Sequence, residues 1–330
     1  MTAVTDQATP ADLSFADLAL VLFCLIDDLY TDLVPDDVRL RPGHRRMTLS
    51  DPEVLTLSVL QEARYNDSET SFVRQMRRDH PALFPGLRDR SRYHRRRKAL
   101  AGVHQILFAR IAAGLASGAA WLTLDSAPVE TTKGAGVRPP ERSQTGARSI
   151  PHPTSMGWEA AYHFKSVRHM LFFGFRLHLV VTDDGAVAEF ALAPANEPER
   201  DVAEGMLRAV ARSETGLVLG DAGYTGADFR SRVGALGHTL WALPKDSALP
   251  PEGVTAAASK AWRRWVRSKR ALVETVFAML ADQFGIERTR ARSLDGAWTR
   301  VVAKVLAFDL GVHLNRASGR ASLAIKPLYS

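Results

Sequence analysis

From about residue 119 onward the chain keeps to one alternation, and that alternation restricts the fold more than any other feature. "AAWLTLD", residues 119–125, reads as a strand. "MLFFGFRLHLVVTDDGAVAEFALAP", residues 170–194, holds two apolar, β-favouring runs divided by "DDG", which signals a hairpin. Residues 198–212 are helical in pattern. "GLVLGD" is then a strand, "GADFRSRVGALG" a helix and "HTLWALP" a strand, followed by helical stretches over about 256–284 and 298–314. A short hairpin loop forces antiparallel pairing, whereas strands joined through helices lie parallel. The order strand, hairpin, helix, strand, helix, strand, helix therefore predicts an α/β domain, a mixed five-stranded sheet flanked by helices.

Two of those strands close on a carboxylate: Asp125 in "WLTLDSAP" and Asp221 in "LVLGDAGY". A charge at the end of a buried strand is costly unless something pairs with it. Ligands of open α/β sheets bind beyond such strand ends, and two aspartates side by side repel unless a cation neutralises them. Hard divalent cations suit carboxylate oxygens, and a third acid would complete a two-metal site for phosphoryl transfer. Glu274, in "SKRALVETVFAMLADQFG", stands at the edge of an apolar stripe made by Val273, Val276, Phe277 and Leu280, with Arg267 and Arg270 on its own face. Each acid alone has a plainer reading: Asp125 as a turn residue before Pro128, Asp221 as an Asx-turn beside Gly223, Glu274 as an i−4 partner of Arg270. The three together, in this order, point to a shared cation site.

Residues 14–117 are helical in pattern. "SDPE" from Ser50 has the spacing of a capping box and opens a helix to about Arg64. A second spans Ser68–Asp79, with Phe72, Val73 and Met76 on one face. A third begins near Ser91 and carries Leu100, Val103, Leu107 and Ile111 at helical spacing. Three short helices with a basic last one resemble a helix-turn-helix DNA-binding unit. "GLRDRSRYHRRRK", residues 86–98, carries seven Lys/Arg and one acid. Arg92, Arg95, Arg96 and Arg97 are the candidate phosphate contacts there, and a solvated basic face is the alternative. "KAWRRWVRSKR", residues 260–270, adds six basic residues and no acid. Its candidate DNA contacts are Arg263, Arg267 and Arg270, while Trp262 and Trp265 suit base stacking or core packing.

Charge is distributed to match. The net charge is +7, yet residues 1–40 hold eight aspartates against one arginine, so the basic excess falls wholly on the rest and favours a polyanionic partner. The single cysteine, Cys24, excludes an internal disulfide and suits a reducing compartment. The apolar run Leu18–Ile26 is too short to span a bilayer. The reading is of a cytoplasmic, nucleoid-associated protein with no membrane partner.

"LTLDSAPV", the hairpin and its exit "GFRLHLVVTDDGAVAEFALAPANEPERD", "LGDAGYTG" and "KRALVETVFAMLADQFGIERTRARS" together resemble the DDE transposases of bacterial insertion sequences. The resemblance covers roughly residues 45–315 and implies an RNase H-like catalytic domain. By it, Asp125, Asp221 and Glu274 are the metal-binding catalytic triad for Mg²⁺, two ions in all, with Mn²⁺ as a substitute, and Arg270 contacts DNA near the cut. Asn196 and Asp201 are supporting structure. The implied partners are double-stranded DNA, as element terminal repeats and target, and a second copy in a homodimer. A nuclease without strand transfer and an inactive DNA-binding regulator are the alternatives. The expected organisation is a disordered N-terminus (1–13), a helical DNA-binding domain (14–117), a catalytic domain (118–316) with a flexible insertion at about 131–158, and a C-terminal tail (317–330).

Overall fold

The structure, a computed structural model, describes residues 13–64, 68–132, 161–165, 170–210, 216–243, 256–287, 291 and 293–329. The expected disordered N-terminus and the insertion at 131–158 lie almost wholly outside the described residues. The described helices are α1 (Phe15–Leu33), α2 (Asp36–Arg39), α3 (Asp51–Ala63), α4 (Glu69–Asp79), α5 (Arg90–Ala99), α6 (Ala101–Ala116), α7 (Glu199–Ala209), α8 (Ala227–Ala235), α9 (Ala256–Asp282), α10 (Leu294–Ala317) and α11 (Lys326–Tyr329). The strands are β1 (Leu122–Thr132), β2 (Ala161–Lys165), β3 (Met170–Thr182), β4 (Val187–Pro194), β5 (Leu217–Gly220) and β6 (Thr239–Ala242). Among the described residues no single helix is long and apolar enough to cross a membrane.

The chain divides into two compact units. One gathers residues up to 111 with 282–284 and 298–330; the other holds 112–281 and 285–297. The first is helical. Ser50 opens α3 with the capping box read from "SDPE": its hydroxyl accepts from Glu53 N at 3.3 Å, and the Glu53 carboxylate accepts from Ser50 N at 2.5 Å. On α4, Phe72, Val73 and Met76 are buried as the spacing predicts. The helix expected from Ser91 is in fact two, α5 and α6, bent by 56° at Leu100. The apolar stripe from Val103 to Ile111 belongs to α6, whereas α5 is polar and buries only Tyr93 and Arg97, so the two segments bury different faces.

The C-terminal helix corrects the expected domain boundary. Its residues from 298 onward belong with the N-terminal helices, not with the sheet. Lys304 and Arg300 of α10 pair with Glu62 of α3, and Arg97 of α5 joins them on the same carboxylate. Tyr329 donates its hydroxyl to Ala307 O at 2.7 Å. A buried carboxylate needs partners that hydrophobic patterning does not reveal, and here they come from both ends of the chain.

The second unit is built on a six-stranded mixed sheet ordered β2-β3-β1-β5-β6, with β4 also on β3. The five strands read from the sequence are present in an RNase H-like arrangement: β1, β3 and β4 antiparallel, β5 and β6 parallel to β1. The addition is β2, which pairs with the first residues of β3, up to Gly174, while β4 takes the remainder from Phe175. The DDG turn closes through Gly185 at φ 97°, a left-handed conformation open to glycine at little cost. On one side of the sheet Leu122, Leu124, Val218 and Leu240 pack with Met206 and Leu207 of α7 and Phe229 and Val233 of α8. Leu219 packs instead with Val266 and Trp262 of α9. This leaves β1 central, with helices on both faces.

Candidate active site

Strand alternation sets the first acid. Leu122 and Leu124 enter the core beneath α7 and α8, so Thr123 and Asp125 point to the other face. The parallel ladder between β1 and β5 pairs Leu122 with Val218 and Thr123 with Leu219, and β5 ends at Gly220. Asp125 and Asp221 each stand two residues beyond that last pair, at matching positions. Asp125 does not end its strand, as the sequence suggested. The antiparallel ladder with β3 carries β1 on to Thr132, and only the pairing with β5 stops. The opening that remains between β1 and β5 is where the two aspartates meet.

The Asp125 carboxylate accepts from its neighbour Ser126 N at 2.8 Å and from Arg270 Nη2 of α9 at 3.3 Å. Burial pushes its pKa up to about 6. The charges of Asp221 and Glu199 add to that rise, while the Ser126 N–H and Arg270 oppose it. Asp221 caps a turn of 3₁₀ helix, Ala222–Tyr224, and accepts from Gly223 N at 2.8 Å. It is thus both an Asx-type turn residue and a neighbour of a second carboxylate.

On α9 Val273, Val276 and Leu280 of the expected stripe are fully buried, while Phe277 is half-buried. Arg270 reaches Asp125 from this helix. Glu274 follows one turn later on the same face and is exposed. Asp125, Asp221 and Arg270 are brought together; Glu274 is not gathered with them. Among the described residues no three His, Cys, Asp or Glu side chains converge closely enough to hold a metal ion.

Glu199 is the acid that the sequence reading missed. It opens α7, directly after the hairpin exit, and its Oε1 pairs with Arg176 of β3. Arg176 Nη2 also donates to Ser126 Oγ at 2.6 Å, next to Asp125. The one signal in the sequence is the acidic run "EPERD", from which Asp201 rather than Glu199 was singled out. Asp201 instead holds Arg232 of α8 at 3.0 Å, a supporting contact. His178 is wholly buried on β3, with its pKa lowered to about 4, chiefly by that burial.

The arginines of the helical unit separate by burial. Arg92 and Arg95 are exposed. Arg96 pairs with Asp51 and donates to Leu49 O. Arg97 corrects the expectation: only 3% exposed, it pairs with Glu62 and donates to Ser58 Oγ at 2.9 Å, so it is a core residue unable to meet a phosphate. Arg46, Arg88, Arg92, Arg95 and Arg96 line a cavity of about 220 Å³. Arg74, Arg77, Arg78 and Arg90 line a second. On α9, Arg267 is exposed and Arg263 half-buried. Trp265 lies edge-on to Trp121 and Trp241, each at 5.8 Å between ring centroids, and Trp262 edge-on to Trp241 at 6.4 Å. Lys269 Nζ sits 4.9 Å from the Trp121 ring centre. The tryptophans pack on one another, with Trp241 and Trp265 still partly open to solvent.

The family model of the transposase DDE domain matches residues 124–310, more than half of the chain, from the strand bearing Asp125 into α10. The chain belongs to the DDE transposase-domain family. No curated protein matches the sequence. A solved structure with similarity is a piggyBac transposase synaptic complex with hairpin DNA, seen by cryo-electron microscopy, at 12% identity and a TM-score of 0.44, covering 94% of this chain and 79% of that one. Within the DDE transposase-domain match lie Asp125, Glu199, Asp221, Arg270 and Glu274.

Proposed function

We propose that this protein is a transposase that cleaves DNA strands at the ends of an insertion sequence and joins the freed 3′ hydroxyl to target DNA. The observation that carries the reading is the register of β1 and β5, which sets Asp125 and Asp221 at matching positions with Arg270 at their side. The donors are hard oxygens; burial, with a smaller addition from the charges of Asp221 and Glu199, raises the pKa of Asp125, and a divalent cation would offset that cost. In this reading Asp125 and Asp221 would hold Mg²⁺, two ions in all, with Mn²⁺ as substitute, and Glu274, which stands apart from them, would have to close on the pair to complete the set. When bound, the metal supplies activation of the attacking oxygen and stabilisation of the leaving one. Glu274 shares a helix face with Arg270, so the helix that presents the arginine also presents the third acid.

The residues of the chain divide the remaining work. Arg270 offsets carboxylate charge and orients a strand phosphate. Arg263 and Arg267 extend the basic face of α9 along the DNA. Arg92, Arg95 and Arg96, with the arginines of the two cavities, grip the terminal repeats through phosphates. Concerted cutting of two ends calls for a homodimer, working in the reducing cytoplasm at the nucleoid.

The test is incubation with the flanking element ends and Mg²⁺, followed by strand-resolved mapping. Asp125→Asn, Asp221→Asn and Glu274→Gln are each expected to abolish cleavage while keeping DNA binding. Near-wild-type cutting by any one removes that residue from the site. Cleavage without joined product from pre-cut ends would leave a nuclease, and absence of metal-dependent cleavage a DNA-binding regulator.

A further inference from the structure

Helix α5 differs from side to side. Its inner face carries Tyr93 and Arg97, both buried. On its outer face Ser91, His94 and Lys98 stand at i, i+3 and i+7 and are exposed. At 3.6 residues per turn they form one stripe about 60° wide. On one flank of the stripe Arg92, Arg95 and Arg96 join Arg88 around the cavity of about 220 Å³. On the other flank Arg90 joins Arg74, Arg77 and Arg78 of α4 around the second cavity, of about 450 Å³. Arg78 is held by Asp79 at 2.6 Å, whereas Arg74 and Arg77 are exposed. Asp89, the N-cap of α5, borders both cavities, and its carboxylate is engaged by Arg92 N at 2.9 Å.

This arrangement matches the cross-section of a DNA groove. A helix with its side chains is about 10–12 Å across, and the major groove is about 12 Å wide between two phosphate rims. A helix lying there needs cations toward each rim and hydrogen-bonding groups between them, because phosphate contacts position and base contacts specify. The N-terminal half of the stripe supplies uncharged groups, Ser91 and His94, at the end of a recognition helix that meets base edges. The histidine ring is oriented from behind: its Nδ1 lies 3.2 Å from Oε2 of Glu69 on α4. A carboxylate only accepts, so Nδ1 carries the proton, and in the neutral ring Nε2 is left as an acceptor.

We propose that Ser91 and His94 read base edges in the major groove, while the two arginine cavities hold phosphates of the opposite strands on either side of α5. The acceptor Nε2 of His94 suits the exocyclic amines, adenine N6 or cytosine N4, and the Ser91 hydroxyl suits either a donor or an acceptor. The proposal rests on the DNA-binding reading above and adds where the sequence of the DNA is read. A solvated basic face would bind every duplex alike.

The experiment is fluorescence anisotropy with the full chain and two labelled duplexes, the flanking element end and the same bases shuffled, across a salt series, with a thermal melt of each variant. Wild type is expected to prefer the element end. Ser91→Ala with His94→Ala is expected to lose about 5- to 100-fold of that preference while the slope of log affinity against log salt stays unchanged. His94→Ala alone decides the matter should the double variant not fold. Arg74→Ala with Arg77→Ala is expected to weaken both duplexes alike, to lower the slope by about 1 per lost phosphate contact, and to keep the preference. Full preference in the folded Ser91/His94 variant overturns base reading by α5. An unchanged slope in the Arg74/Arg77 variant overturns the phosphate site on the α4 side. Wild type that binds both duplexes equally, with a steep salt response, overturns the proposal and leaves the DNA-binding reading standing; no salt-dependent binding to either duplex overturns that reading itself.

Discussion

Glu62→Gln is the sharpest test of how the helical unit is held together. Glu62 is completely buried and faces three cations, Arg97, Arg300 and Lys304. Those charges hold its carboxyl far below the usual carboxylate range, against the penalty of burial. The amide keeps the shape and removes the charge, leaving the cations without their common counter-ion. Glu69 Oε2, at 3.8 Å from Arg97, is too distant to replace it. Breaking a buried pair from one side costs about 3–5 kcal/mol. For a protein of this size that lowers Tm by about 6–20 °C. Lys304→Met is the contrast. It removes one of three cations and leaves Glu62 with two, so the expected cost is about 0–2 kcal/mol. Circular dichroism melts of both variants decide the matter. A Glu62→Gln protein melting with wild type, or a Lys304→Met protein melting as far below wild type as Glu62→Gln, would refute the claim that the carboxylate organises the cations. The pH dependence has a fixed sign: a carboxyl with a depressed folded-state pKa contributes its full stability above its unfolded-state value, near 4.5. That contribution is lost as pH falls below it toward the folded-state value.

Asp125 has the opposite shift. With a pKa raised from 3.8 to about 6, its folded form favours the proton, so its contribution to stability declines as pH rises from the lower value through the higher. A cation must displace that proton, so Mn²⁺ affinity measured by calorimetry should climb up to about tenfold per pH unit below 6 and level off above; a flat profile from pH 5 to 7 would remove Asp125 from the site. Arg92→Ala with Arg95→Ala should weaken DNA binding, lower the slope of log affinity against log salt by about 1 per lost phosphate contact, and leave the melt unchanged. Arg97→Ala should instead lower Tm, because Arg97 is core. Filter-binding titrations across a salt series, paired with melts, separate the two.

Much of this was legible in the residues alone. The DDG hairpin, the capping box at Ser50, the buried stripe of α9 and the order of strands and helices are local consequences of turn chemistry and periodicity, and those signals act over a few residues. The same grammar marked Asp125 and Asp221, since an acid closing an apolar β run is visible as a local contradiction. Burial and register are different in kind. Arg92, Arg95 and Arg97 look alike in "RYHRRRK", yet Arg97 turns inward because Glu62, thirty-five positions earlier, waits there for it. Glu199 reads as one acid among several, and only the approach of α7 to β3 sets its carboxylate on Arg176. The C-terminal helix looks like the end of a catalytic domain and belongs with the N-terminal helices instead, held by a buried charge that no periodicity records. The sequence by itself determined most of the elements and their order, and drew attention to two acids at the ends of apolar β runs, because these follow from short-range sterics and patterning. The tertiary structure decided which charges are buried, which are paired and which carboxylates share a space, because the energy of a charge depends on whatever the fold brings within a few ångströms of it.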